Sequence, residues 1–287
     1  MSIGPVRLSR RSAAIVAAAL TGLVSLGLGA HAALNLRTSD EAKVAAVPAS
    51  EAQTPKRLAL VIGNGRYPDA AAPLKQPIND ARALTAALRG DGFDVDMIED
   101  ASREEMTRAI ERLSAKITPQ SVVALFFGGF GVQSGRESYM IPVDAVIWKE
   151  ADVRRTGVSI ESVLEAIEQR GASAKLAVID ASRRNPYERR FRQYSHGLAP
   201  INAANALVLS SATPGQVVDD GSRQNSMLVS ELLTNLKAKD ASVETIFNRT
   251  RMSVSRATDG GQVPSVASSL LREVRIGGKD EAVKAGS

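Results

Sequence analysis

The chain contains no cysteine. No thiolate nucleophile and no disulfide can therefore form anywhere in it. The absence does not choose a compartment, because an oxidising space permits disulfides without requiring them. Histidine is scarce too, with only His31 and His196 in 287 residues. Aromatic residues make up 4%, too few for a stacking platform on single-stranded nucleic acid. No run of Lys or Arg forms a phosphate-binding stripe, so nucleic acid is not an expected partner. What is present is ordinary for a globular protein: 44% apolar residues, with length for one large α/β domain or two small ones.

The net charge of +5 is weighted to the N-terminus, where Arg7, Arg10 and Arg11 stand without an acid among residues 1–32. The remainder, 33 basic and 31 acidic residues, is close to neutral. After the arginines comes an uncharged stretch from Ser12 to Ala33, rich in Ala, Leu, Val and Gly and containing Ala30-His31-Ala32. A basic start, an apolar middle and a small-residue site fit a secretory signal peptide over residues 1–33. Arg10-Arg11 also hints at a twin-arginine signal. About 20 apolar residues would just span a bilayer, so an uncleaved membrane anchor stays open. Either reading exports the folded part, to the periplasm or the outer face of an inner membrane. Residues 34–56 are polar, Ala-rich and aperiodic, as in a flexible linker, and 278–287 resemble them.

Between these ends strands and helices alternate. Leu58–Gly63, Val122–Phe127, Leu176–Ile179 and Ala206–Ser210 are continuous apolar runs, as strands covered on both faces require. Phe93–Ile98 and Leu271–Ile276 alternate as further strands. Helical spacing runs over Asn79–Leu88, over Ile160–Arg170, over Met227–Leu236 and over Val243–Ala257. Ser102 and Glu105 form a capping box before Met106, Ile110 and Leu113. Ser138–Val143, preceded by Gly135, predicts a hairpin at the sheet margin. This order predicts one α/β domain over 57–277: a mostly parallel six-stranded sheet with helices on both faces.

Ligands of such sheets bind where loops leave the carboxyl ends of the strands. The residues there are Asn64-Gly-Arg-Tyr67, Gly128-Gly-Phe-Gly131 and Asp180-Ala-Ser182-Arg-Arg-Asn-Pro186, with Asp80 expected at the start of the first helix nearby. These segments resemble the caspase-like peptidases in their bacterial and metacaspase branch. Further segments that carry the resemblance are Leu60-Val-Ile-Gly-Asn64, Pro77-Ile-Asn-Asp-Ala81, Tyr139-Met-Ile-Pro-Val-Asp-Ala145 and Ser210-Ser-Ala-Thr-Pro-Gly-Gln216, in order and with matching spacing. The resemblance implies a caspase-like fold and a cysteine-type endopeptidase ancestry. It also implies that Phe130 stands where the family has its His and Ser182 where it has its Cys.

A phenyl ring cannot move a proton, and a serine hydroxyl without a base is a poor nucleophile. Since the two groups act as a unit, the resemblance implies a non-cleaving relative. It further implies a cleft in which Asp80, Asp180, Gly128 and Gly129 receive a basic side chain of a peptide or protein partner, the two carboxylates pairing with it. Gly128 replaces the family's pocket serine. The bland alternative is structural: Asp80 caps its helix and Asp180 bonds neighbouring backbone N–H groups. Two other readings stay open. Ser182 could act with a base from outside the family pattern, such as His196 fourteen residues on, the only histidine outside the leader, or the domain could be purely a scaffold. No cofactor or metal is expected.

Overall fold

Residues 55–71, 73–184, 186–187, 190, 197–219 and 221–276 are described by the computed structural model. The leader 1–33, nearly all of the linker and the tail 278–287 lie outside the described residues, as does His196. The strands β1 (Arg57–Gly63), β3 (Val122–Gly128), β7 (Ala174–Asp180) and β8 (Ala206–Ser210) are buried almost throughout. Alternate side chains of one strand enter two different cores: Leu58, Leu60 and Ile62 point to one face, Ala59 and Val61 to the other. A strand with two buried faces has no polar side to show, and that is why these four read as unbroken apolar runs.

The main sheet has the order β2-β1-β3-β7-β8-β9, with β2 at Asp94–Glu99 and β9 at Ser265–Ser268. All pairs are parallel except β8 with β9. Helices α1 (Gln76–Gly90), α5 (Met227–Asn235) and α6 (Val243–Ala257) cover one face through Leu84, Leu88, Leu228, Leu232 and Phe247. Helices α2 (Arg103–Lys116) and α4 (Ile160–Gln169) cover the other through Met106, Leu113, Leu164 and Ile167. The capping box of α2 forms as its sequence predicts, with Ser102 and Glu105 exchanging hydrogen bonds.

Four elements differ from the sequence expectation. The last strand is β9, not Leu271–Ile276, which makes only one bridge, Arg275 to Ser242. Val274 and Ile276 are indeed buried, but the segment's backbone turns to α6, the Val243 N–H donating to the Val274 carbonyl at 2.8 Å. Alternation there records packing without a ladder. The predicted hairpin begins earlier: β4 (Gly131–Ser134) and β5 (Glu137–Met140) form it and, with β6 (Val158–Ser159), make a separate three-stranded sheet. A short helix, α3 (Glu150–Thr156), buries only Asp152 and Val153 and so has no apolar stripe to read. Finally α1 starts at Gln76, with Pro77 in its first turn where the missing N–H is harmless. Asp80 is thus the fifth residue of the helix, and Lys75 occupies the cap position.

Candidate functional site

Three neighbouring strands end level with one another: Gly63 pairs with Gly128, and Gly128 with Asp180. Glycine at the first two lets α1 press onto the strand ends. A Cβ on Gly63 would lie 2.6 Å from the Pro77 carbonyl oxygen, and one on Gly128 would lie 3.2 Å from Pro77 Cα. Gly63 and Gly128 therefore serve close packing of α1, which sets the buried Asp80 within electrostatic reach of Asp180. Gly129 serves close packing on the other side, where a Cβ would meet the Tyr67 hydroxyl at 2.5 Å.

The loop after β1 is tied inward. Asn64 is fully buried, accepts from the Ala101 N–H at 2.9 Å and donates to the Ala101 and Ile141 carbonyls at 3.3 and 3.2 Å. The buried Tyr67 hydroxyl donates to the Ile141 carbonyl at 2.9 Å and accepts from the Phe130 N–H at 3.1 Å. Burial raises its pKa, so it stays a neutral donor. The Phe130 ring, 4% exposed, packs on Tyr67 at 4.6 Å between centroids in a cluster with Tyr139, Ile141 and Tyr187. Its surroundings are those of a core residue.

Ser182 leaves β7 fully buried at 1% exposure. Its N–H donates to Ser211 Oγ at 3.3 Å, and its carbonyl accepts from Val218 N–H at 2.7 Å. The Gly131 N–H donates to the Ala181 carbonyl at 2.9 Å. Acyl transfer requires backbone donors aimed at a developing oxyanion; here the N–H groups of Ser182 and Gly131 are both engaged by protein acceptors. No side chain among the described residues accepts a hydrogen bond from Ser182 Oγ, and none of those residues is a histidine.

The carboxylates do meet. Asp80 Oδ1 accepts from Asn225 Nδ2 at 2.8 Å and from the Ser226 N–H at 3.1 Å. Asp80 thereby fastens α1 to the residue that caps α5, rather than capping its own helix. Burial, then the charge of Asp180, push Asp80 up to about 7, against the hydrogen bonds from Asn225 and Ser226. Asp180 faces Arg183, which is 3% exposed and whose Nη2 lies 3.3 Å from Asp180 Oδ2. That oxygen is ion-paired but accepts no well-aligned hydrogen bond. The same guanidinium donates to the backbone carbonyls of Gly129, at 3.2 Å, and of Asp180. Asp180 and Arg183 form part of the lining of a cavity of about 220 Å³, shared with Gln76, Asp219, Arg223 and Gln262. A larger hollow of about 280 Å³ by β8 and β9 is lined by small and apolar residues and Asn202, with no ionisable group. No cluster of three or more metal-ligating side chains occurs among the described residues.

Strand order, paired sheet ends and buried acids together define one architecture, and the family model for the caspase domain matches residues 56–275. The chain belongs to the caspase domain family. Among curated proteins, this caspase domain is similar to the mucosa-associated lymphoid tissue lymphoma translocation protein 1 of Homo sapiens, 26% identical over 133 residues, or 46% of this chain and 16% of that protein. Its homolog in Mus musculus is 26% identical over 157 residues, 53% of this chain and 18% of that protein. The chain thus spans under a fifth of the length of these relatives. Three residues that shape the site of this caspase domain lie in the segments that a reading by strand ends picks out, but that reading gives them no role: Asn64, Tyr67 and Arg183. Each sits in the right loop, but only the fold shows that its polar atoms turn inward. For Arg183 the one sequence signal is its place immediately after Ser182, and a neighbouring arginine pair masks it as solvated charge.

Proposed function

We infer that this is an exported, non-cleaving caspase-fold domain that holds a peptide segment of a partner protein through a basic side chain. The observation that carries the non-cleaving part is the state of two positions. Phe130, matching the family's His, is packed into an aromatic cluster, and Ser182, matching its Cys, has neither a histidine nor a side-chain acceptor for its hydroxyl among the described residues. A hydroxyl without a base and without free oxyanion donors attacks a peptide carbonyl too slowly to be a working nucleophile. The basic-side-chain part is supported by charge. Asp80 and Asp180 are both buried and close enough for the charge of Asp180 to raise the pKa of Asp80, and Asp180 lines a cavity with the buried Arg183 guanidinium paired to it. Export rests on the basic and apolar leader of residues 1–33, which also offers membrane association if it is retained.

The test is incubation of the purified protein with a peptide library rich in Arg and Lys, read by mass spectrometry for cleavage and by calorimetry for binding. No turnover is expected, together with saturable binding of Arg-containing peptides that Asp180→Asn abolishes. Turnover that disappears in Ser182→Ala would overturn the non-cleaving reading; absence of any binding would overturn the cavity's role.

A further inference from the structure

We propose that Arg183 is the resident occupant of the cation seat on Asp180 and acts as its specificity determinant, so that a partner's side chain binds only by displacing it. This rests on the reading of the cavity as a receptor for a basic side chain.

Three features of the seat carry the inference. Arg183 is almost wholly buried, yet it follows Ser182 directly and its guanidinium folds back under its own backbone. Among the described residues it meets three acceptors at one place: Asp180 Oδ2, the Asp180 carbonyl and the Gly129 carbonyl. A guest guanidinium reaching the interior end of the cavity would meet those same acceptors, because among the described residues Asp80 is already bonded to Asn225 and Ser226 and Asp219 stands exposed at the rim. Two guanidinium groups cannot share three acceptors in a buried space. Exchange of one for the other, however, keeps the buried charge constant and so avoids the desolvation penalty of an added ion.

The acceptor set also selects the guest. A planar guanidinium fork satisfies a carboxylate oxygen and two carbonyls from one group, whereas an ammonium is a compact point charge with a different donor geometry. Arginine-like guests therefore replace Arg183 and lysine-like guests do not. The displaced side chain has a destination. Arg183 is bridged through its backbone to Val218, and the next residue, Asp219, is an acid at the cavity rim whose side chain is 89% exposed and pairs loosely with Arg184, its Oδ1 lying 3.8 Å from Arg184 Nε.

A seat filled internally weakens a guest in proportion to the time it is filled: occupancy of about nine-tenths or more costs about tenfold or more in apparent affinity. The experiment titrates N-acetyl-arginine amide and N-acetyl-lysine amide into the wild-type protein and into Arg183→Met, which keeps length and loses charge. The expected result is at least tenfold tighter binding of the arginine probe by Arg183→Met, lost again in Arg183→Met/Asp180→Asn, with little binding of the lysine probe to the wild type. Equal or weaker binding by a folded Arg183→Met, when the wild type binds, overturns the displacement while leaving the receptor reading intact. No binding by either protein overturns both. If Arg183→Met does not fold, the side-chain Nε–H resonances of 15N-labelled wild-type protein decide. One protected arginine signal must become solvent-exchanging as the probe saturates, and a signal that stays protected in the saturated complex overturns the proposal.

Discussion

Replacing Phe130 with His puts an imidazole just beyond the end of β3 and measures how closed that position is. The ring is 4% exposed and lies 4.6 Å from the Tyr67 ring in an apolar cluster. Full burial of a phenyl side chain is worth about 1.5–3 kcal/mol, and an imidazole nitrogen left without a partner costs about 1–3 kcal/mol more. Phe130→His is therefore expected to lose about 2.5–6 kcal/mol at pH 8. The loss must then grow in acid. The unfolded chain's histidine takes up a proton near pH 6.5, whereas the buried imidazole resists it, the more so with the Arg183 guanidinium acting on the adjoining Tyr67. Below that pH the unfolded state binds more protons, so stability falls as pH falls. The extra loss is about 1.4 kcal/mol per pH unit. Urea unfolding followed by far-ultraviolet circular dichroism at pH 8 and pH 5.5, with the wild type in parallel, gives both quantities. A variant within about 0.5 kcal/mol of the wild type at pH 8, with no added loss at pH 5.5, would mean a wet, open position and would refute the packing argument.

Two further outcomes follow from the same strand ends. Asp80 has its folded pKa raised from 3.8 to about 7, so the native state keeps a proton that the unfolded chain releases across that window. Its contribution to stability declines as pH rises from about 4 to about 7. Asp80→Asn should remove that decline, seen as a smaller gap between urea midpoints at pH 5 and pH 8; an unchanged gap would contradict the assignment. At Gly131 an added Cβ would meet Leu198 Cδ2 at 2.7 Å and the Ala181 carbonyl oxygen at 2.9 Å. Gly131→Ala should accordingly cost about 1–3 kcal/mol by overpacking, and a thermal melt indistinguishable from the wild type would count against the close approach.

The sheet was legible because β1, β3, β7 and β8 are covered on both faces, and burial leaves an unmistakable apolar run. The helix α2 was legible because its cap is local chemistry between Ser102 and Glu105. Where the determinant is distant, sequence alone misleads. Leu271–Ile276 alternates because Val274 and Ile276 are anchors, but whether a ladder forms depends on which strand already lies beside β8. Asp80 and Asp180 were rightly placed at one edge by the sheet rule. Their partners were not predictable, since Asn225 and Ser226 stand about 145 residues beyond Asp80 in the chain. Arg183 is the strongest case: an arginine beside another arginine in a polar loop has every local mark of a solvated side chain. Among the described residues, the buried carbonyls of Gly129 and Asp180 and the Asp180 carboxylate draw it inside.

The Tyr67 hydroxyl bonds both Phe130 and Ile141, and its ring meets the ring of Phe130. This makes position 130 a ratchet. A substitution that introduces a proton-carrying side chain there is penalised while Tyr67 keeps its present seat, and a change at Tyr67 is penalised while the Phe130 N–H needs its hydroxyl. Neither step is free when taken first. A lineage carrying this pair is therefore channelled toward change on other surfaces of the domain, and an engineer reversing it must move both rings together.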